Sequence, residues 1–447
     1  MKLIPLLLTV CALTLQAAET DWKAAATKTV ITPKEPMWMA GYASRTKPAE
    51  GTAQDLFAKA LALEDAHGTR FVFVTLDLVA VPRTLRTALE KRLGEACQLP
   101  PDALLLNVSH THCGPEFRVA NTPADSSEFG RKEQAEAYGK FLEESLFKLV
   151  SDALSQLAPA QLSYHHARCG FAMNRRLPVD DTFKNSPYPE GPVDQDVPVL
   201  RVSSADGAVR AVLFGYACHN TTLGFYQWCG DYAGYAQEDI EAAHPGAVAL
   251  FVEGCGGDQN PYPRNKIELA KLHGQSLATA VEAALTATTQ PIQGPLHEKF
   301  ADVDIDFAAV PSRAELDEQA RSSDKLTASH ARQLLGRLDR GETLPAHYPY
   351  PVQVVRFGSG LTFVGLAGEA VVDYSLRLKR ELAGPPIWIA GYCNDVMTYI
   401  PSRRVLEEGG YEGRDAIKYT SLPGPWASTI EERIIGQVHT LLRTFAP

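Results

Sequence analysis

The 447-residue sequence lacks any excess of positive charge: 43 Lys and Arg stand against 53 Asp and Glu, a formal net charge of −10 with 12 His set aside. That balance argues against a general nucleic-acid binder, which needs a basic patch. No G-x-x-x-x-G-K-[ST] segment and no strand-linked G-x-G-x-x-G occurs, so nucleotide binding through those devices has no support. None of the eight Cys belongs to a C-x-x-C pair. No repeat period, low-complexity linker or composition shift marks a domain boundary. Past the N-terminus, no uninterrupted apolar run reaches the ~18 residues of a membrane helix. With 45% hydrophobic and 21% charged residues, the chain is too apolar to be disordered and long enough to bury a core.

What is present begins with an address. Lys2 is followed by a short apolar stretch from Leu3 to Leu15, then by Ala17-Ala18 and the polar Glu19-Thr20-Asp21. This is the layout of a secretory signal peptide over residues 1–18. Residues 19–447 are then expected as one exported catalytic domain, periplasmic or secreted. Val10 before Cys11 fits a lipoprotein cleavage site poorly. Without Cys11 seven thiols remain, so at least one is unpaired even in an oxidising compartment.

Arg70 to Val81 is dense in β-branched and aromatic residues and reads as a buried strand. Pro82 to Cys97 has helical spacing through Leu85, Leu89 and Leu93, and Ala103 to Ser109 is a second apolar run. Strand, helix, strand in this span is a βαβ unit. Strands are also expected at 208–218, 247–253 and 385–390, with a hairpin over 352–366. Helices are expected at 133–157, 237–243, 266–284 and 370–382, with a polar helical insertion over 312–342. The expected fold is α/β: a mixed, largely parallel central sheet with flanking helices and the active site at the carboxyl ends of strands.

Polar residues gather just after these strands. His110-Thr111-His112-Cys113 follows one, Cys218-His219-Asn220-Thr221 a second, and Glu253-Gly254-Cys255-Gly256-Gly257-Asp258-Gln259-Asn260 a third. Gly368-Glu369 and Gly391-Tyr392-Cys393-Asn394-Asp395 follow two more. On an extended chain residues i and i+2 share a face, which would set His110 beside His112. Two imidazoles can share one metal, or one can bind it while the other moves protons. His219 and Glu369 add the nitrogen and carboxylate ligands that suit zinc. Cys113, Cys218, Cys255 and Cys393 near these ends read as thiolate ligands, as a nucleophile, or as small buried residues.

In order along the chain, these blocks resemble the N-terminal catalytic domain of the neutral ceramidase family (neutral/alkaline non-lysosomal ceramidases). The blocks are His110-Thr111-His112-Cys113-Gly114-Pro115, Met173-Asn174-Arg175, Val193-Asp194-Gln195-Asp196, His219-Asn220-Thr221, Gly230 to Ala236, Gly257-Asp258, Gly368-Glu369, Asn394-Asp395, Tyr399 and Tyr411-Glu412-Gly413. The resemblance implies one catalytic Zn2+ and hydrolysis of the amide of an N-acylated sphingoid base. By position it implies the metal ligands His110, His219, Glu369 and Tyr399. It makes His112 the general acid/base, with Tyr411 and Arg175 polarising the scissile carbonyl. For Arg175 a structural ion pair is the alternative, and the assignment could shift to Arg176. The partner implied is a small-molecule or lipid amide, met in transient contact with a membrane surface.

Three departures bear on the substrate. Asn260 stands where the family commonly has Ser, so a Ser nucleophile there is excluded. The sequence ends about 36 residues after Tyr411, which leaves no room for the family's immunoglobulin-like C-terminal domain. The stretch between Asp196 and Glu369 is shorter, leaving the walls of a lipid pocket open. The competing readings are an esterase or a hydrolase of cell-wall or sugar-linked amides, a Cys nucleophile at Cys113 or Cys255 with His112 as base, and a non-catalytic exported binding protein. On the zinc reading, the thiols become mostly free, buried groups lining the metal site.

Overall fold

The computed structural model describes residues 21–118, 131–289 and 291–445. The expected signal segment 1–18 lies outside them. A nine-stranded sheet runs Val248–Glu253, Val209–Tyr216, Asp196–Ser204, Ala158–Arg168, Trp22–Val30, Phe57–Asp65, Arg70–Leu76 and Leu104–Val108, with Pro291–Ile292 paired to Ala158–Arg168. A second, four-stranded sheet runs Leu296–Asp306, His347–Phe357, Leu361–Leu366 and Ile387–Ala390.

The α/β class holds, but the large sheet is mostly antiparallel rather than largely parallel. Leu104–Val108 joins Arg70–Leu76 in parallel, and Val248–Glu253 joins Val209–Tyr216 in parallel. Each of those pairs is spanned by a crossover helix, Arg83–Cys97 or Asp231–Ala243. The strands between them pair antiparallel. Dense apolar runs mark only the doubly covered parallel strands. The antiparallel Trp22–Val30 reads WKAAATKTV, with Lys and Thr alternating among small residues, so it gives little hydrophobic signal.

Alternate side chains on these strands face two different cores. Ala60, Val72, Val74, Leu104 and Leu106 pack against Leu89 and Leu93 of the first crossover helix and Leu142 and Leu146 of helix Arg131–Ser155. From the opposite face, Leu61, Phe73, Leu105 and Leu213 meet Phe357, Phe363 and Trp388 of the second sheet. The outer face of that sheet, with Val352, Val354 and Val364, is covered by Tyr374 and Leu378 of helix Val372–Glu381 and by Ile434, Ile435 and Val438 of helix Ile430–Arg443. The layers therefore run helix, sheet, sheet, helix. No helix of the described residues is long and apolar enough to cross a membrane.

The two sheets touch backbone to backbone at one end. Bridges Asn107↔Cys393 and Gly254↔Ala390 join them there. Asn107 adds side-chain bonds: its Oδ1 accepts from Glu253 N at 2.8 Å and its Nδ2 donates to Gly391 O at 2.8 Å. This seam gathers the carboxyl ends of Leu104–Val108, Val209–Tyr216, Val248–Glu253, Leu361–Leu366 and Ile387–Ala390. Phe363 locks the sheets together, with ring centroids 5.2 Å from Phe73 and 5.4 Å from Trp388. Phe363→Ala is expected to lower unfolding free energy by about 3–5 kcal/mol, read from urea denaturation. A loss below about 1 kcal/mol would show that the sheet interface does not depend on this ring.

Candidate metal centre

His110 leaves its strand in a left-handed conformation, with φ at 60°. The pair His110 and His112 therefore sits in a turn, not on the extended chain expected from the i, i+2 spacing. The turn still brings the rings together, with Nε2 atoms 3.1 Å apart. A non-glycine residue held at positive φ is a local cost tolerated where surrounding bonds over-determine it. Here His110 N donates to Leu78 O at 2.9 Å, and the ring's Nδ1 lies 2.6 Å from Val79 O.

His219 arrives from the neighbouring parallel pair and is anchored the same way. Its Nδ1 lies 2.7 Å from Gly256 O. A ring nitrogen facing a carbonyl must carry the proton, so both His110 and His219 present an Nε2 lone pair inward. Glu369, in the short strand Glu369–Ala370 that pairs with Tyr399–Ile400 just past the second sheet's Leu361–Leu366, meets those lone pairs. Its Oε2 lies 3.2 Å from His110 Nε2 and 3.2 Å from His219 Nε2. That oxygen is buried and has no hydrogen-bond donor. Three acceptors thus face one another with no proton assigned between them. A cation resolves the conflict, and the spacing suits one: ligands about 2.0–2.1 Å from a tetrahedral zinc lie about 3.3 Å apart. Tyr399 closes the group, with its OH 3.2 Å from His219 Nε2.

The nitrogens of His110, His112 and His219 all lie within 4.8 Å of one another. His112 differs from the other two: its Nδ1 is buried without a partner, so no carbonyl sets its tautomer as a ligand. It packs edge-on against Tyr42, centroids 4.6 Å apart, and over Gly41. A Cβ at Gly41 would lie 2.3 Å from His112 Cγ, and φ there is +93°, so only glycine allows this approach.

Burial shapes the protonation states. It pushes the His112 pKa well below its usual value, helped by His110 and His219 nearby. It pushes His219 down to about 3, with the Arg175 charge second. Burial opposes the Glu369 carboxylate, yet the facing imidazoles hold its pKa well below the usual range. Metal ligation needs imidazole lone pairs and an ionised carboxylate, and the low His219 pKa favours the former for that ring.

A cavity of about 420 Å³ opens over His110, His112, Glu369, Tyr399 and Tyr411, with Tyr42, Glu116, Arg118 and Tyr419 on its walls. Tyr411 keeps 37% of its surface exposed and packs edge-on to Tyr399, centroids 5.3 Å apart. Burial, with Glu369 nearby, raises its phenol pKa, so the hydroxyl stays protonated at neutral pH.

Arg175 takes a different place. Among the described residues it does not line the cavity but lies behind Tyr399, donating to its OH at 2.8 Å. Its other bonds go to Glu412 Oε1 at 2.8 Å and Asn260 Oδ1 at 3.1 Å. Arg176 binds the second Glu412 oxygen at 2.7 Å and Gly409 O at 2.9 Å. The two arginines thus share one buried carboxylate but do different work, and Arg175 is the one that reaches the site. Asn260 Oδ1 serves as an acceptor for Arg175.

The thiols are also placed differently from expectation. All seven described Cys are free, but none lines the cavity among the described residues. Burial pushes Cys113 and Cys255 thiols well above their usual pKa, which argues against a Cys nucleophile. Gly41, Tyr42 and Tyr419 were given no role by sequence reasoning. Gly41-Tyr42 sits in a segment with no apolar period, and only proximity in the fold connects it to His112.

Residues 26–262 match the family described as neutral/alkaline non-lysosomal ceramidase, N-terminal. A neutral ceramidase from Pseudomonas aeruginosa, known by crystal structure, is similar with a TM-score of 0.72, covering 96% of this chain and 75% of that one at 20% identity. A ceramidase complexed with C2 gives a TM-score of 0.74, covering 96% and 76% at 19% identity. Comparison with curated protein sequences finds no match.

Because Cys97 is the one described thiol that is half-buried, with Cys169 next at 8% exposed and the other five buried, brief iodoacetamide treatment of the native protein should label it first among the seven. Mass mapping checks this. Fast labelling of Cys113 or Cys255 would contradict their burial.

Proposed function

The chain belongs to the neutral/alkaline non-lysosomal ceramidase family, and from that premise we propose that it is a zinc-dependent hydrolase of the amide bond in an N-acylated, ceramide-like lipid. The observation that carries this reading is Glu369 Oε2 at 3.2 Å from both His110 Nε2 and His219 Nε2 without a hydrogen-bond donor of its own. In it, His110, His219, Glu369 and Tyr399 hold Zn2+. Residues 1–18 serve as the export signal, and residues 19–447 form the catalytic unit. The substrate is taken up by transient contact with a membrane surface.

Bound zinc would supply a water acidified from a pKa of ~15.7 towards ~7 and a positive charge beside the scissile carbonyl. The remaining tasks fall to the protein. An amide is a poor electrophile with a poor leaving group, so its nitrogen must be protonated as it departs. His112, with Nε2 directed into the centre, accepts the proton of the attacking water and returns it to that nitrogen. Tyr411, protonated and facing the cavity, donates its O–H to the carbonyl oxygen as negative charge grows there. Arg175 acts through Tyr399: its cation beside the phenol oxygen favours the ligating form. An esterase, or a hydrolase of cell-wall or sugar-linked amides, is the second reading. The Glu116–Arg118 ion pair and Thr398 and Thr420 on the cavity wall favour it.

Chelation followed by dialysis is expected to abolish hydrolysis of a short-chain ceramide, and one equivalent of zinc to restore it. Full activity in metal-free protein would sink the reading. Short acyl amides and esters assayed alongside decide between the two substrate classes. His112→Ala should lower kcat by about 10²–10⁴-fold while zinc content stays at that of the parent. If zinc is lost instead, His112 is a ligand. Gly41→Ala should lower kcat by displacing the His112 ring, again with zinc retained.

A further inference from the structure

Glu253 ends the parallel strand Val248–Glu253 at the end of the large sheet, is wholly buried, and has no part in the reaction described above. Its two carboxylate oxygens bracket His219. Oε1 accepts from Cys218 N at 2.9 Å, and Oε2 accepts from Asn220 Nδ2 at 3.1 Å. These are the residues immediately before and after the imidazole. The link does not stop there. Asn220 Nδ2 also donates to Ser109 O at 2.5 Å, the carbonyl next to His110, and Asn220 O accepts from His112 N at 3.3 Å. Asn220 Oδ1 accepts from Ala233 N at 3.1 Å, which fixes the direction of its amide.

The carboxylate also sets the far side of the His219 anchor. A Cβ at Gly256 would lie 2.6 Å from Glu253 Oε1, so the carboxylate occupies the space that a side chain would need. Gly256 O is the carbonyl that takes the His219 Nδ1 proton. The Glu253 backbone is held in turn: N donates to Asn107 Oδ1 at 2.8 Å, and O accepts from Gly391 N at 3.2 Å. The position of one carboxylate is therefore shared by both His-bearing loops and by the seam between the sheets.

We infer that Glu253 is a positioning residue for the metal centre, holding the His110 and His219 loops at ligand spacing through Cys218 N and Asn220. Its partners demand an acceptor at both oxygens. A glutamine keeps one acceptor but turns an NH₂ towards the Asn220 amide, which opposes two donors. An alanine leaves both N–H groups without a partner. The inference rests on the zinc reading of the site, and its test separates the two.

The test measures zinc dissociation constants of the metal-free proteins by competition with a chromophoric chelator, beside thermal melts of the same samples. Glu253→Gln is expected to weaken zinc binding by about 10–100-fold, the range seen when outer hydrogen bonds to metal ligands are lost. Asn220→Asp replaces the donor to Ser109 O with an acceptor and should weaken binding similarly. Asn220→Ser, which keeps a short donor, should fall between it and the parent. A role in folding alone would lower the melting temperature but leave zinc affinity of the folded protein at the parental value, and that outcome overturns the inference while sparing the zinc reading. If the parent protein itself binds no zinc, both fall.

Discussion

A Glu369 carboxylate oxygen lies 3.2 Å from each of two imidazole nitrogens, His110 Nε2 and His219 Nε2, and all three offer lone pairs to the same small space. In an apolar interior that is repulsive unless something positive lies between them. Carbonyls at Val79 and Gly256 take the protons of the outer ring nitrogens, so the rings do not relieve the conflict by turning. The repulsion is a strain that only a cation or an added proton removes. The surrounding structure makes sense as the frame that maintains it: a turn with His110 at positive φ, a buried Asn–Glu relay, and a glycine under His112.

The frame has two halves. The large sheet delivers the histidines from two parallel strand ends, and the short paired strands Glu369–Ala370 and Tyr399–Ile400, which follow strands of the second sheet, deliver Glu369 and Tyr399. Neither part carries the full set, so the aromatic interface around Phe73, Phe363 and Trp388 also holds the two groups of side chains together. The centre lies between layers, where the two sets of strand ends close on each other. The same arrangement accounts for the second ring of charges: Arg175, Arg176 and Glu412 are buried together behind Tyr399 and set the charge around its oxygen from the side away from solvent.

Much of this was legible from the residues. The βαβ units show as dense apolar runs around amphipathic helices, and the polar clusters after them mark where a cleft must lie. The ordered blocks pointed to His110, His112, His219 and Glu369, and the fold brings them together. Other features left no readable trace. Trp22–Val30 and Ala158–Arg168 have one partly polar face and lack the runs that announce a buried strand. The packing of one sheet on another depends on which face each residue takes, and without the antiparallel strands that could not be counted. Arg175 carries the charge expected of a carbonyl contact, but its bonds to Glu412 and Tyr399 come from residues more than two hundred positions away. The cysteines sit at strand ends, as noted from the sequence, yet their side chains pack into the cores behind the centre.

The central claim is that one cation belongs among His110, His219, Glu369 and Tyr399. Crystals grown with one equivalent of zinc, measured on both sides of the zinc absorption edge, test it directly. The account predicts a single strong anomalous peak about 2.0–2.2 Å from His110 Nε2, His219 Nε2 and Glu369 Oε2, with Tyr399 completing the set and His112 outside bonding distance. A peak bound by His112 in place of Glu369, or no peak at this point, would contradict it.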